Sequence, residues 1–588
     1  MGSVIDMFRF IVIADSHIRP PDQEVDAYPS NALMVQRNRF IVGMCNDIDA
    51  AFVVHLGDIV HPLPVDDTHE EAIELAKEMY SELRHAIHYV AGNHDVGDKP
   101  NALVAVPAVA EENYDVYEKA WGPSFLSFDH DDCHFVLIDT QVLNSGLERE
   151  HNQKIWLESD LAGATAAGQR VFLFTHYPPF IQDHNEREHY DNIGEPARSW
   201  LLDLLVRHDV EALFAGHVHS FQYNRHEGTD IYVAPSTAFV RPDYSELASI
   251  APLAENGRDD PSKLGVLVVE VTADGHATRP IRSFGSTVGV EAPPVSLDVS
   301  LAPAWQSPIG VTLRHGWADI HDFPTAGLDE FRRKRVRNDG PLLALWEARI
   351  NNVRVPISDL HEPAKLERIR HLTDRGMRFS ITSAGVPDQG DFNAVQSNAM
   401  HISRWDVLVP PELMDHAQIA VAGARIRDVV HMAVAPVVPI GSTGAETHHF
   451  VAAGFRVEDD PHLQRWLEID RDSVFGSLVF RVPWRDELDD GLLRAKTLAG
   501  RFGRMAVVIV DMPRASEGSA FTDDEAVCRR VTHTVRAAIK EPDVSVFLDG
   551  FMDHDRGYYP RHGLIDRGFN PRPALYSLIA ESAGATTG

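Results

Sequence analysis

The first half of the chain alternates short apolar runs with polar stretches patterned for helices. Strand-like runs are FRFIVIAD (from Phe8), AAFVVHLGD (from Ala50), AIHYVAGN (from Ala86), HFVLIDT (from His134), RVFLFTH (from Arg170), ALFAGH (from Ala212), DIYVAPS (from Asp230) and LGVLVVEV (from Leu264). Between several of them lie amphipathic segments such as EEAIELAKEMYSELRHA and ARSWLLDLLVRHD. Near-continuous Val/Ile/Leu/Phe strands separated by amphipathic helices predict sheets covered by helices.

From about residue 286 to 307 the text becomes irregular and Pro-rich, which marks a boundary. The expected division is a first domain over 1–285, a linker over 286–307 and a second domain over 308–588. Beyond the linker a new alternation begins: IGVTLR, VRVPI, MRFSIT, WDVLVP, VVHMAVAPVV, HHFVAAGF, SLVFRV, MAVVIVD and VSVFLDG. Helix-like segments, among them LDEFRRKRVRNDGPLLALWEARI and DDEAVCRRVTHTVRAAIK, lie between most of these runs. That many β/α units in about 280 residues predicts a (β/α)8 barrel of the TIM type.

Composition narrows the function classes. The chain has 588 residues and a formal net charge of −33, from 87 acidic and 54 basic side chains. A field of that sign repels nucleic-acid backbones and anionic membranes, so neither is an expected partner. Phosphate-bearing ligands stay open, because a bound cation reverses the local sign. Three cysteines in so long a chain exclude a disulfide framework and a Cys-rich zinc site. No apolar run is long enough for a bilayer, and MGSVIDMFRFIVIADSH reads as a first strand rather than a leader, so the expectation is cytoplasmic. The sequence leaves the oligomeric state open.

The chemistry lies in how the first-half strands end. They close on Asp15 and His17, on Gly57-Asp58, on Asn93-His94-Asp95, on His176, and on His217 and His219. Any one of these alone is an ordinary cap or turn. Five apolar strands each stopping at Asp, Asn or His is different, since ligands of open α/β sheets bind beyond the strands' carboxyl ends. Carboxylates, imidazoles and an amide oxygen without thiolate suit Mn²⁺, Fe or Zn²⁺. Seven such side chains exceed one tetrahedral ion and suit a pair sharing a carboxylate.

The pattern D-x-H, G-D, G-N-H-D, H and G-H-x-H resembles the calcineurin-like metallophosphoesterase superfamily over approximately residues 6 to 285. The resemblance implies a four-layer α/β/β/α sandwich with two divalent metal ions. Carried over by motif, Asp15, His17, Asp58 and His219 would hold one ion. Asp58, Asn93, His176 and His217 would hold the other. His94 would face the substrate, with Asp95 orienting it. Two cations lower the pKa of a bridging water and offset charge during in-line attack on phosphorus. His61 stands where purple acid phosphatases carry a tyrosine ligand, so iron–tyrosinate chemistry is not implied. The text around GNHDVG resembles the branch holding class III cyclic-nucleotide phosphodiesterases and glycerophosphodiesterases, which handles monoesters and diesters alike.

Other candidates are looser. HYPPFIQDHNEREHYDN reads either as a solvated loop or as a substrate-side wall through Tyr177, His184 or His189. Arg241 is a candidate phosphate contact. At the barrel's strand ends stand Arg314, His315, Asp359, Asp511, Asp549, Asp553 and His554. The closing YYPRHGLIDRGFNPRPALYSLI resembles the last segment of glycoside hydrolase barrels. However, no Glu after residue 300 follows an Asn, so the Asn-Glu dyad of that clan is absent. The expected function is a metal-dependent hydrolase of a small-molecule or glycan phosphoester, with the barrel selecting a substrate such as a sugar-containing phosphoester. A bifunctional glycoside hydrolase acting on a phosphorylated glycan is the alternative. A non-catalytic scaffold is the third reading, and seven converging ligands argue against it.

Overall fold

The computed structural model describes residues 7–20, 28–100, 107–248, 250–289, 295–302, 305–313, 316–323, 333–424, 426–439, 451–458, 460–470, 474–484, 486–512, 523–553 and 562–585. The chain divides into two compact units, one of residues 1–293 with 320–339, the other of 294–319 with 340–588.

Among the described residues the first unit holds two large sheets, besides the two-stranded pair Ile320–Phe323 with Lys334–Arg337. One contains β1 (Phe8–Ile13), β2 (Phe52–His55), β3 (Ala86–Tyr89), β10 (Gly265–Thr272) and β11 (Gly275–Arg282) in the order β11-β10-β1-β2-β3. The other contains β4 (Leu126–His130), β5 (Cys133–Leu137), β6 (Arg170–Thr175), β7 (Ala212–Ala215), β8 (Gln222–His226) and β9 (Thr229–Val233), ordered β4-β5-β6-β7-β9-β8. Phe10 of β1 joins the sheets: its ring meets Phe135, Phe172, Phe174 and Phe214 edge-on at 5.6 to 5.9 Å. Such edge-to-face contacts add to the burial of the rings themselves. Tyr80 of the helix His69–Tyr80 packs on His55 and Tyr89 of the first sheet. The helices Glu148–Ala167 and Ala197–Arg207 bury Leu157, Leu161, Leu201 and Leu205 against the second. The result is the four-layer order helix, sheet, sheet, helix.

Every strand named from the sequence in this half is present, and three more appear. These are β4, β8 and β11, all at sheet edges, where polar residues are tolerated and Pro280 of β11 needs no ladder donor. Strands β1, β2 and β3 run parallel, as do β5, β6, β7 and β9. Their carboxyl ends carry all seven candidate ligands.

The second unit is a closed barrel of eight parallel strands: Gly310–Thr312, Asn352–Pro356, Arg378–Ala384, Ile402–Val409, Met432–Pro439, Ser477–Val482, Met505–Val510 and Ser545–Leu548. Each pairs with the next, and the last pairs with the first. The run HHFVAAGF is not a ninth stave; Val451–Ala453 lies antiparallel on Met432–Pro439, and Phe455–Arg456 lies parallel on Ser477–Val482. The segment LDEFRRKRVRNDGPLLALWEARI is also not one helix. Lys334–Arg337 is a strand paired with Ile320–Phe323, and the helix begins only at Gly340. Asn338-Asp339-Gly340-Pro341 explains the break, since Asp and Gly favour turns and Pro starts a helix but cannot continue one.

Candidate metal centre

The candidate residues sit on bends that most side chains avoid. Asp15, His17, Asp58, His217 and His219 have φ of +54°, +43°, +52°, +69° and +57°, the left-handed region. Each such residue costs on the order of 1 kcal/mol, a strain that collects where geometry serves function. Backbone bonds lock the bends together: the amides of Asp15 and His17 donate to the carbonyls of Gly57 and Asp58 at 3.1 and 3.0 Å. Gly57 and Gly92 are required by close approach. A Cβ on Gly92 would lie 2.0 Å from the Asp58 amide nitrogen, and one on Gly57 would lie 2.7 Å from the Gly92 nitrogen.

These bends converge seven side chains, each at most 3% exposed. Ligand atoms of Asp15, His17, Asp58 and His219 lie within 4.8 Å of one another, as do those of Asp58, His176 and His217. Asp58 belongs to both groups: Oδ2 faces His17 Nε2 at 3.5 Å, and Oδ1 faces His176 Nε2 at 3.3 Å. Asn93 Oδ1 lies 3.0 Å from both His176 Nε2 and His217 Nδ1.

The facing atoms are nearly all acceptors. His176 Nδ1 lies 2.8 Å from the Leu56 carbonyl, and His219 Nδ1 lies 3.0 Å from that of Phe239. A carbonyl only accepts, so these nitrogens carry the hydrogens and each Nε2 presents a lone pair inward. His219 Nε2 meets His17 Nε2 at 3.1 Å and Asp15 Oδ1 at 3.4 Å. Burial pushes the Asp15 carboxyl up to about 6 and the Asp58 carboxyl to about 7. Burial also drives His17, His217 and His219 well below the ordinary imidazole range, so the rings are neutral. The amides of His94 and His217 donate to Asp58 and Asp15 at 2.8 and 3.0 Å, and the carboxylate and imidazole lone pairs that still converge fit cations.

His94 stands at the mouth, half-buried where the seven are closed off. Its Nδ1 donates to the His61 carbonyl, and its ring stacks on His61 at 5.3 Å and meets His17 edge-on at 4.6 Å. Asp95 does not hold that ring. It accepts the amides of Ile59 at 3.1 Å, Val60 at 3.4 Å and Gly92 at 2.8 Å, tying the end of β2 to that of β3. An acceptor three residues past Gly92 caps the short turn there, and that capping explains the difference from the expected orienting role.

The polar run after His176 is solvated in its middle, where Asp183, His184, Asn185 and Arg187 are exposed, and buried at its two ends. Tyr177 is buried and donates to Asp98 Oδ1 at 2.5 Å, and His189 is buried against Glu186 at 3.0 Å. His184 is half-exposed beside Asn185 and His226. Arg241 is committed to Asp191 and Asp243. His61, which the sequence offered only as the residue standing in place of a tyrosine ligand, brings a ring nitrogen to His17 and His94 in a third cluster; sequence reasoning missed Asp191, fully buried 3.6 Å from His217 Nε2. The only signal for Asp191 was its place in a polar run following a candidate ligand.

In the barrel, the described strand-end carboxylates all have donors. Arg481 binds Asp511 and, at 2.9 Å, Asp549. Trp317 Nε1 donates to Asp359 at 2.8 Å, and Arg572 and the Gly563 amide hold Asp553. Arg314, His315 and His554 lie outside the described residues.

Residues 8–221 match the family of calcineurin-like phosphoesterases, a span that contains all seven converging side chains. The first unit is thus a calcineurin-like metallophosphoesterase domain, here followed by an eight-stranded parallel barrel. The chain is 27% identical over 211 residues to a serine/threonine-protein phosphatase of Danio rerio, CPPED1, covering 35% of this chain and 65% of that protein. It is 29% identical over 138 residues to purple acid phosphatase 23 of Arabidopsis thaliana, covering 23% and 28%. The chain thus spans less than two thirds of the length of either relative. The structure of a purple acid phosphatase from Lupinus luteus seeds aligns with a TM-score of 0.34 at 15% identity, covering 48% of this chain and 52% of that one. Among the described residues, no helix is long and apolar enough to cross a membrane.

Proposed function

We propose that the first unit is a phosphoesterase dependent on two divalent cations. Asp15, His17, Asp58 and His219 would hold one, and Asp58, Asn93, His176 and His217 the other. The observation that carries the reading is Asp58, whose two oxygens face one imidazole of each group. When bound, such a pair supplies positive charge that lowers the pKa of water and holds phosphoryl oxygens. His94 is the group placed to move a proton: the His61 carbonyl holds Nδ1–H, so Nε2 is the atom that takes up a proton from solvent and, as the imidazolium, gives it to the ester's leaving oxygen. Burial of the seven ligands keeps competing water out, and half-exposed His94 marks the side from which a substrate enters.

For the barrel we propose substrate selection rather than glycoside hydrolysis. A retaining glycosidase needs two carboxyl groups about 5 Å apart and free to react. The described candidates Asp359, Asp511, Asp549 and Asp553 are instead occupied by Arg, Lys or Trp donors. A small-molecule or glycan phosphoester, such as a sugar-containing one, fits this division of labour. The test is hydrolysis of p-nitrophenyl phosphate and its bis-ester with Mn²⁺ and with a chelator, beside a nitrophenyl-glycoside panel. The expected result is ester cleavage only with metal and no glycoside cleavage. Glycoside cleavage that survives the chelator would reverse the assignment of the barrel.

A further inference from the structure

The hairpin Ile320–Phe323 with Lys334–Arg337 is supplied by the chain between the barrel's first two strands, yet it belongs to the phosphoesterase unit. Val336 is fully buried in that unit's apolar core. Arg337 Nη2 donates to the Tyr223 carbonyl and to Asn224 Oδ1, both at 2.6 Å, and Asp339 accepts the Tyr223 amide at 2.8 Å. So anchored, the hairpin delivers Lys334. Its side chain is fully buried, and its ammonium binds Asp191 and, at 2.9 Å, Asp243.

Asp191 lies directly behind a candidate ligand. It accepts from Lys334, Arg241 and, at 2.9 Å, the Tyr244 hydroxyl, and Oδ1 faces His217 Nε2 at 3.6 Å. Buried His217 Nε2 has no hydrogen bond of ordinary length, while Nδ1 points to Asn93 Oδ1 at 3.0 Å. A metal-bound imidazole generally gives its other N–H to a carboxylate, which fixes both tautomer and ring orientation. Two carboxylates and two cations here form a neutral quartet, with Asp191 and Lys334 fully buried and Asp243 and Arg241 partly so. An ion cluster of that kind is rigid when complete and costly when one member is removed.

We propose that Lys334 is a positioning residue for the metal site: through Asp191 it holds His217 with Nδ1 turned toward the cation. The hairpin from the barrel's sequence thereby completes the phosphoesterase's second coordination layer. This inference rests on the reading of the seven side chains as metal ligands.

The test is Mn²⁺ affinity of the full chain, by competition with a fluorescent chelator, together with the thermal midpoint of the metal-free protein. The proteins compared are wild type, Lys334→Met, Lys334→Arg, Asp191→Asn and Arg335→Met, the last altering an exposed neighbour on the same hairpin. Lys334→Met and Asp191→Asn are expected to weaken Mn²⁺ about 10- to 100-fold. Lys334→Arg should recover most of that loss, and Arg335→Met should match wild type. Wild-type affinity in Lys334→Met, with only a lowered midpoint, would overturn the proposal and leave the metal reading intact. Should Lys334→Met fail to fold, wild-type affinity in Asp191→Asn would overturn it equally. A wild-type chain that takes up no Mn²⁺ would remove the metal reading itself.

Discussion

The Nε2 atoms of His17 and His219 lie 3.1 Å apart, both rings are buried, and the outer nitrogen of His219 is committed to the Phe239 carbonyl. His219 therefore turns a lone pair toward His17, Asp15 Oδ1 adds another acceptor at 3.4 Å, and a cation would satisfy both. The same tension recurs around Asp58 and Asn93, where acceptors face acceptors. The fold holds these groups apart from water, and the only donors it brings to the carboxylates of Asp15 and Asp58 among the described residues are the backbone amides of His94 and His217, which leaves the imidazole lone pairs free for a cation.

His94→Ala should separate chemistry from metal binding. A positioned proton donor contributes about 10²- to 10⁴-fold, so kcat on p-nitrophenyl esters should fall by that order. Metal content by mass spectrometry should stay near that of the wild type. Asp58→Ala should lose both, because its two oxygens serve both groups.

Gly92→Ala should be among the most damaging small substitutions in the chain. The added methyl would overlap Asp58 at 2.0 Å from its nitrogen and 2.3 Å from Oδ1, where backbone cannot yield cheaply. Overpacking of this kind costs about 3 kcal/mol or more. Denaturant unfolding should show that loss. Gly163→Ala, with open space at its Cβ, should show no loss.

Glu211 sets an acid limit on the first unit. Burial pushes its carboxyl up, but hydrogen bonds from His276 at 2.7 Å and from Arg170 at 2.6 Å outweigh it and hold the group at about 2. A carboxyl lower in the folded than in the unfolded chain stabilises the fold above the unfolded value of about 4.3. That contribution, about 3 kcal/mol at most, is lost as pH falls from about 4 toward 2. The stability gap between wild type and Glu211→Gln, measured by urea unfolding, should be full at pH 7 and narrow below pH 4.

Arg481→Met should destabilise the barrel by about 3 to 5 kcal/mol, since Asp511 and Asp549 would lose their shared guanidinium. Calorimetry should show a lowered transition, while metal uptake stays unchanged.

Much of this was legible in the sequence. Continuous apolar strands are what parallel sheets buried on both faces require, so β1, β2, β6, β7 and the barrel staves announced themselves. The seven ligand candidates were visible because polar residues that end such strands break the pattern. The edge strands β4, β8 and β11 were not, since half-exposed edges carry mixed residues. Asp95 was misjudged because adjacency to His94 in sequence says nothing of where a carboxylate turns, and here backbone amides claimed it. Lys334 was hidden in a helix-like basic run 143 positions from Asp191, a contact that tertiary structure alone creates.

The most direct test is anomalous diffraction from a crystal grown with excess Mn²⁺. Two peaks are expected, one among Asp15, His17, Asp58 and His219, the other among Asp58, Asn93, His176 and His217. A map without manganese at either position, from a crystal in which the seven side chains are ordered, would contradict the account.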